Sequence, residues 1–403
     1  MPEPLKLHWH DGNDVRLLEN GGEFFPALFE AIDQARSVVH LETYIFQIDD
    51  AGTALLARLQ AACARGVKVR VVIDGFGSAE SAQAVVECIR AMGGQCRVYR
   101  PEPRYLGRLV PSRRRLRRMH RKIAVIDNAV AFVGGINVVD DYTNEGEDQP
   151  SFTHPRFDYA VRVAGPIVAD IVHAVDLLWV RLSWLQLRRP LRSLRDVQLR
   201  HPGYADHPPC GTTRAALALR DNLRFRHTIE QSYLHAMGRA RRDILIACAY
   251  FLPGRRLRKA LVSATARGVR VRLLLQGKAE YLLQRYATRA MYDELLSHGI
   301  EIYEYMPSFL HAKVAVVDDY ATVGSSNLDP FSLLLAREAN VVVDDAGFAA
   351  RLRASLQRAI AADSRPVERH SYARRAWLRR LVDAAAYTAV RIAVALTGRG
   401  AQY

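Results

Sequence analysis

The sequence predicts an α/β protein made of two pseudo-symmetric halves, packed face to face about one shared active site. Three observations carry that prediction. Helical and extended patterns alternate along the chain, landmarks of the first half return in the same order in the second, and one polar motif occurs once in each half. At 403 residues with 49% apolar content, the chain is long enough and apolar enough to bury a large core.

Residues 24–36 have the spacing of an amphipathic helix and feed an extended apolar run at 38–46. A second helix over 51–65 stops at Gly66, a residue suited to the left-handed position after a helix end. The strand 67–74 follows, and this alternation reads as a parallel sheet with crossover helices. Ala64-Arg65-Gly66-Val67-Lys68-Val69-Arg70 is then nearly repeated at Ala266-Arg267-Gly268-Val269-Arg270-Val271-Arg272. The strand around Tyr44 is answered by 244–251. Such a period is far longer than solenoid repeats use, so the chain divides into halves at 1–185 and 215–365. An Arg- and Pro-containing linker is expected at 186–214, and a basic tail at 366–403.

The repeated polar motif is His-x-Lys-x4-Asp: His120, Lys122 and Asp127 in the first half, His311, Lys313 and Asp318 in the second. Each is followed by a glycine turn ending in Asn, at Asn137 and Asn327. Side chains two apart on a strand share a face, so each His points the same way as its Lys. Two ammonium groups can hold phosphoryl oxygens while one imidazole attacks phosphorus and the other protonates the leaving oxygen. Packing alone would not demand the same polar pattern twice. Asp127 and Asp318 complete the catalytic motifs. Lying five residues beyond Lys, each faces away from it, so turn bonds or salt bridges are expected of them rather than direct chemistry.

The net charge of +15 points to an anionic partner, a nucleic-acid backbone or an acidic membrane surface. Arginines between 104 and 121 are expected to form an anion-attracting rim beside His120. Aromatic interleaving there is thin, which disfavours stacking on single strands, and no nucleic-acid partner is expected. Five scattered cysteines without Cys-x-x-Cys fit a reducing compartment. Residues 1–20 hold no apolar run, so neither a signal peptide nor a leading membrane span is expected. The tail carries Trp377, Leu378, Leu381, Val382 and Tyr387 among arginines, which suits a helix lying in the interface of an anionic bilayer.

The two motifs resemble those of the phospholipase D superfamily, whose paired "HKD" motifs meet across an internal pseudo-twofold. The runs GSSNLDPFSLLLAREANVVV and HRKIAVIDNAVAFVGGINVVDDY, with Leu41–Phe46 and Tyr250–Gly254, are similar to bacterial cardiolipin synthases of the B type over nearly all of residues 10–360. That resemblance implies phosphatidyl transfer from one phosphatidylglycerol to a hydroxyl of a second phospholipid. The reaction would pass through a phosphatidyl-histidine and release glycerol. It implies His120 as nucleophile and His311 as acid and base. Lys122, Lys313, Asn137, Asn327 and, on one side only, Ser325 are the implied phosphate ligands. The implied imidazole-orienting carboxylates are Asp158 for His120 and Glu338 for His311. It also implies peripheral attachment to the cytoplasmic side of the inner membrane. No metal or cofactor is required, and no His/Asp/Glu cluster shows ligand spacing along the sequence. A phospholipase D-type hydrolase or a phosphodiesterase nuclease would share both motifs.

Overall fold

The computed structural model describes residues 7–102, 117–143, 152–187, 207–222, 224–278, 282–373 and 377–395. Most of the expected linker, the arginine run 103–116 and the end of the tail lie outside the described residues. The first half contributes β1 (Trp9–Glu19), β2 (Val38–Thr43), β3 (Lys68–Asp74), β4 (Gln95–Tyr99), β5 (Lys122–Ile126), β6 (Val130–Gly134) and β7 (Tyr159–Ala164). The second contributes β8 (Thr213–Arg220), β9 (Asp243–Cys248), β10 (Arg270–Gln276), β11 (Glu301–Tyr305), β12 (Lys313–Val317), β13 (Tyr320–Gly324) and β14 (Glu338–Asp344), with the short β15 (Ser364–Pro366) at its edge.

Strand order is 1-7-6-5-2-3-4 in the first half and 8-14-13-12-9-10-11 in the second, the same path traced twice. Only β2, β3 and β4, and likewise β9, β10 and β11, run parallel through crossover helices. The alternation over 38–74 does give parallel strands, β2 beside β3, while the remainder of the sheet is antiparallel. Short turns at 127–129 and 318–319 cause the difference, because a parallel connection needs a crossover of a dozen residues or more. Gly66 and Gly268 end equivalent helices at the same φ of +85°, the left-handed conformation that glycine adopts without a Cβ clash.

The halves meet in two ways. β1 and β8 pair antiparallel, joining the sheets edge to edge. The inner faces also share one apolar layer, with Ile123, Val125, Val133 and Val161 against Ala247, Val314, Val316 and Val341, all at most 1% exposed. Helices cover the outer face of each sheet, with Leu28, Leu55 and Leu59 buried on one side and Leu257, Leu261 and Leu295 on the other. Every residue of β5 and β12 is buried, so the strands that carry the two lysines have no freedom to shift register.

Candidate active site

Both motifs enter the site at the start of a buried strand, and the opposite half positions each of them. Met119 and Arg337 form a parallel bridge between the halves, as do Phe157 and Leu310. The His120 amide donates to the Arg337 carbonyl at 2.9 Å, and the His311 amide to the Phe157 carbonyl at 2.9 Å. One residue further along each pair of segments, a histidine of one half therefore lies beside a carboxylate of the other. His311 Nδ1 is 2.6 Å from Asp158 Oδ2, and His120 Nδ1 is 3.1 Å from Glu338 Oε1.

This crossed pairing corrects the expected one. Asp158 orients His311 and Glu338 orients His120, because the orienting carboxylate arrives on the neighbouring half's segment. An ionised carboxylate only accepts, so each Nδ1 carries the proton and each Nε2 keeps its lone pair. Burial, then Lys313 and Arg156, holds the His311 imidazole well below its ordinary range. Burial lowers His120 too, with Glu338 pulling against it. Burial pushes the Asp158 carboxyl up to about 6 against the pull of Lys313. At neutral pH, both imidazoles are neutral and Asp158 is charged.

The His120 and His311 charges act on one another, Lys313 acts on His120 and Lys122 acts on His311, so the four groups share one electrostatic environment. Lys122 Nζ donates to the His120 carbonyl at 2.7 Å, and Lys313 makes the same bond to the His311 carbonyl. Lys313 is also 3.8 Å from Asp158. Asn137 Oδ1 accepts from the Ile45 amide at 3.2 Å, and Cys248 Sγ lies 3.9 Å from Asn327 Oδ1, so among the described residues these contacts engage the amide oxygens and not the Nδ2 donors. Tyr44, which motif spacing did not mark, stacks edge-on against His120 at 4.8 Å, with Lys122 over its ring at 5.3 Å.

Ser325 is not a phosphate ligand. Its hydroxyl donates to Glu338 Oε2 at 2.5 Å and accepts from the Ala339 amide at 3.1 Å, and the residue is fully buried. In the first half Gly135 takes the equivalent place, and a Cβ there would lie 2.3 Å from Asp158 Oδ1. The shorter aspartate brings its carboxyl close to the main chain, and only glycine leaves room for it. Gly135→Ala should displace Asp158 and lower kcat about a hundredfold, since misplacing a reacting group by about 1 Å costs that much. Steady-state kinetics on the folded variant check this, and an unchanged kcat would contradict it.

Asp127 and Asp318 lie at the far ends of β5 and β12. Asp127 accepts from the amides of Arg36, Ser37 and Val38 and from the Ser37 hydroxyl, all within 2.9 Å. Asp318 accepts from the amides of Arg241, Arg242 and Asp243 within 3.0 Å. Against the effect of burial, these bonds hold both carboxyls below their usual range. Their place in the motif is structural, so they do not belong with the catalytic set. Asp127→Ala should cost about 1.5–3 kcal/mol of stability while changing kcat less than about threefold, as urea unfolding and turnover would show.

Most of the expected arginine rim lies outside the described residues, but two of its described members turn inward. Arg118 is buried and bonds Glu102 while lying 3.6 Å from Asp74, and Arg121 is buried against Glu42. Both charges are spent inside the fold.

The family model for "Cardiolipin synthase, PLD-like domain" matches residues 28–149 and 233–360, one segment in each half. Cardiolipin synthase B of Salmonella typhi is 40% identical over 395 residues, covering 98% of this chain and 92% of that protein. The chain belongs to the cardiolipin synthase family of phospholipase D-like proteins. Within that family, cardiolipin synthase B of Escherichia coli K12 is also 40% identical, over 396 residues. Cardiolipin synthase A of Pseudomonas putida is 31% identical, covering 89% of this chain and 70% of its own length. Among solved structures, phosphatidylserine synthase of Haemophilus influenzae superposes with a TM-score of 0.68 at 15% identity, over 96% of this chain and 95% of that one, which shows the shared fold.

Proposed function

We propose that the protein makes cardiolipin by moving a phosphatidyl group from one phosphatidylglycerol to a hydroxyl of a second phospholipid. The observation that carries this reading is the placement of two carboxylate-oriented imidazoles and two buried lysines in one electrostatic environment, within a chain of this family. In the first step, Nε2 of one neutral histidine attacks phosphorus, the bond to glycerol oxygen breaks, and the other histidine, entering the step in its minor imidazolium form with both ring nitrogens protonated, gives its Nε2 proton to that oxygen. The second histidine, now neutral, takes the proton of the acceptor hydroxyl. The acceptor oxygen attacks phosphorus, the P–N bond breaks, and the first imidazole is freed. Lys122, Lys313, Asn137 and Asn327 donate to the phosphoryl oxygens as their charge grows.

His120 attacks in this scheme. The reverse order has one observation in its favour, since His311 is the imidazole held further below its ordinary range. Mass spectrometry of acid-quenched enzyme, locating the phosphatidyl adduct on one histidine, decides between them. The reaction itself is tested with labelled phosphatidylglycerol in mixed micelles. Cardiolipin plus glycerol supports the proposal, phosphatidic acid alone indicates a hydrolase, and DNA cleavage without lipid turnover a nuclease.

Anionic phospholipid and the membrane surface complete the proposal, with peripheral attachment to the cytoplasmic side of the inner membrane. Among the described residues no helix is long and apolar enough to cross a membrane. The tail helix Trp377–Val394 does not stand free, as a simple interfacial tail would. Ala386, Val390 and Val394 are buried against the second half, and the helix packs on Leu282–Arg289. Its other side leaves Trp377 70%, Leu381 59% and Ile392 55% exposed, next to Leu282 at 60% and Leu283 at 52% on the neighbouring helix. The two helices together offer an apolar face flanked by Arg379, Arg380 and Arg285, suited to an anionic interface. Trp377→Ala with Leu381→Glu should weaken binding to phosphatidylglycerol vesicles at least about tenfold, because burying one such side chain is worth about 1.5–3 kcal/mol. Turnover on micelles should change little, and unchanged vesicle sedimentation would refute the assignment.

A further inference from the structure

A second cluster of ligand-type side chains lies far from the phosphate site. His8 and His10 stand two apart at the start of the chain, and His10 is already in β1, where it pairs with Ala215 of β8. Asp170 lies in the first turn of the helix Ile167–Leu187. His8 Nδ1 is 3.1 Å and His10 Nε2 is 2.8 Å from the same oxygen, Asp170 Oδ2. The three donor atoms all fall within 4.8 Å of one another, and His10 is only 3% exposed. Asp170 is about 160 residues away in sequence, so spacing along the chain does not mark the cluster, and the fold brings the three side chains together.

Two imidazole nitrogens and one carboxylate oxygen are a donor set for a borderline divalent ion such as zinc, whereas magnesium and calcium prefer oxygen alone. Tetrahedral bonds of 2.0–2.1 Å put ligand atoms about 3.3 Å apart, so the two contacts to Asp170, at 3.1 and 2.8 Å, need to open by about half an ångström or less. We infer that His8, His10 and Asp170 form a binding site for a zinc-class divalent cation, clasping the first strand to the helix Ile167–Leu187. Three protein ligands leave a position for water. β1 pairs with β7 of its own half and β8 of the other, so the clasp holds the seam between the halves. The phosphate site is at the opposite end of β1, where the Asn20 amide donates to the Asp158 carbonyl. Nine residues of strand separate His10 from Glu19, about 30 Å, so the ion acts on stability and not on the chemical step.

The test uses the full chain stripped with EDTA, desalted, given zinc chloride and passed over a gel-filtration column. Elemental analysis should find one zinc per chain, thermal unfolding should move to a higher temperature, and magnesium chloride should have no effect. Exposed His8 can be replaced without disturbing the core, so His8→Ala is the first variant and Asp170→Asn the second. Each should bind zinc at least tenfold more weakly against a chromophoric chelator, with turnover on micelles unchanged. Wild-type protein that retains no zinc, or variants that retain it as tightly as wild type, would overturn the inference.

Discussion

Replacing His120 or His311 with alanine should lower cardiolipin formation by about 10⁴-fold or more. Loss of the attacking imidazole removes the covalent route, and loss of the partner removes general acid and base help worth about 10²–10⁴ in each of two steps. Both variants should fold. Each truncation leaves one buried carboxylate without its imidazole, at a cost of about 1–3 kcal/mol against a total stability of about 5–15 kcal/mol. Circular dichroism melts establish folding, and product analysis gives the rate. The covalent adduct separates the two variants, since only the one that keeps the nucleophile can accumulate it. Near wild-type turnover by either variant would end the two-histidine scheme.

The crossed carboxylates support the second large effect. Glu338→Gln keeps the shape of the side chain but removes the anion that orients and charges His120. It should lower kcat about 10²–10⁴-fold, the cost of losing the tautomer-setting carboxylate in a comparable triad. The same change should lower the His120 pKa further, because Glu338 is the group that raises it, and should leave His311 nearly untouched. Because His120 attacks in its neutral form, the acid limb of the pH–rate profile should move to lower pH in the variant. Asp158→Asn should act on His311 instead. Imidazole titration by NMR, assigned with the alanine variants, reads both responses. If Glu338→Gln moved His311 and not His120, the pairing would be uncrossed.

Much of this was open to reading before any coordinates, because duplication writes the same constraint twice. The His-Lys pairs, the Asn turns and the Gly66 and Gly268 helix ends are local patterns, and local geometry decides them. That Asp127 and Asp318 make turn bonds was also legible, although the reason is that both sit just past the strand ends at positive φ and not strand alternation. What stayed hidden depends on contacts between segments far apart in sequence. The partner of each histidine is chosen by the bridges Met119–Arg337 and Phe157–Leu310, which no spacing within one half reveals. Ser325 reads as a donor beside a phosphate until Glu338 is seen to accept its hydroxyl hydrogen bond. A glycine at 135 opposite a serine at 325 was a visible asymmetry, and its cause is the one-methylene difference between Asp158 and Glu338. Arg118 and Arg121 look like solvent charge in a basic run, yet Glu102, Asp74 and Glu42 draw them inside.

The account rests on one phosphorus atom being held between imidazoles contributed by both halves. A crystal structure with vanadate, which mimics the five-coordinate phosphoryl group, tests this directly. It should show one vanadium bonded to Nε2 of one histidine, the other Nε2 against the opposite apical oxygen, and Lys122, Lys313, Asn137 and Asn327 around the equatorial oxygens. Two vanadates bound separately, or one touching the His-Lys pair of a single half, would contradict it.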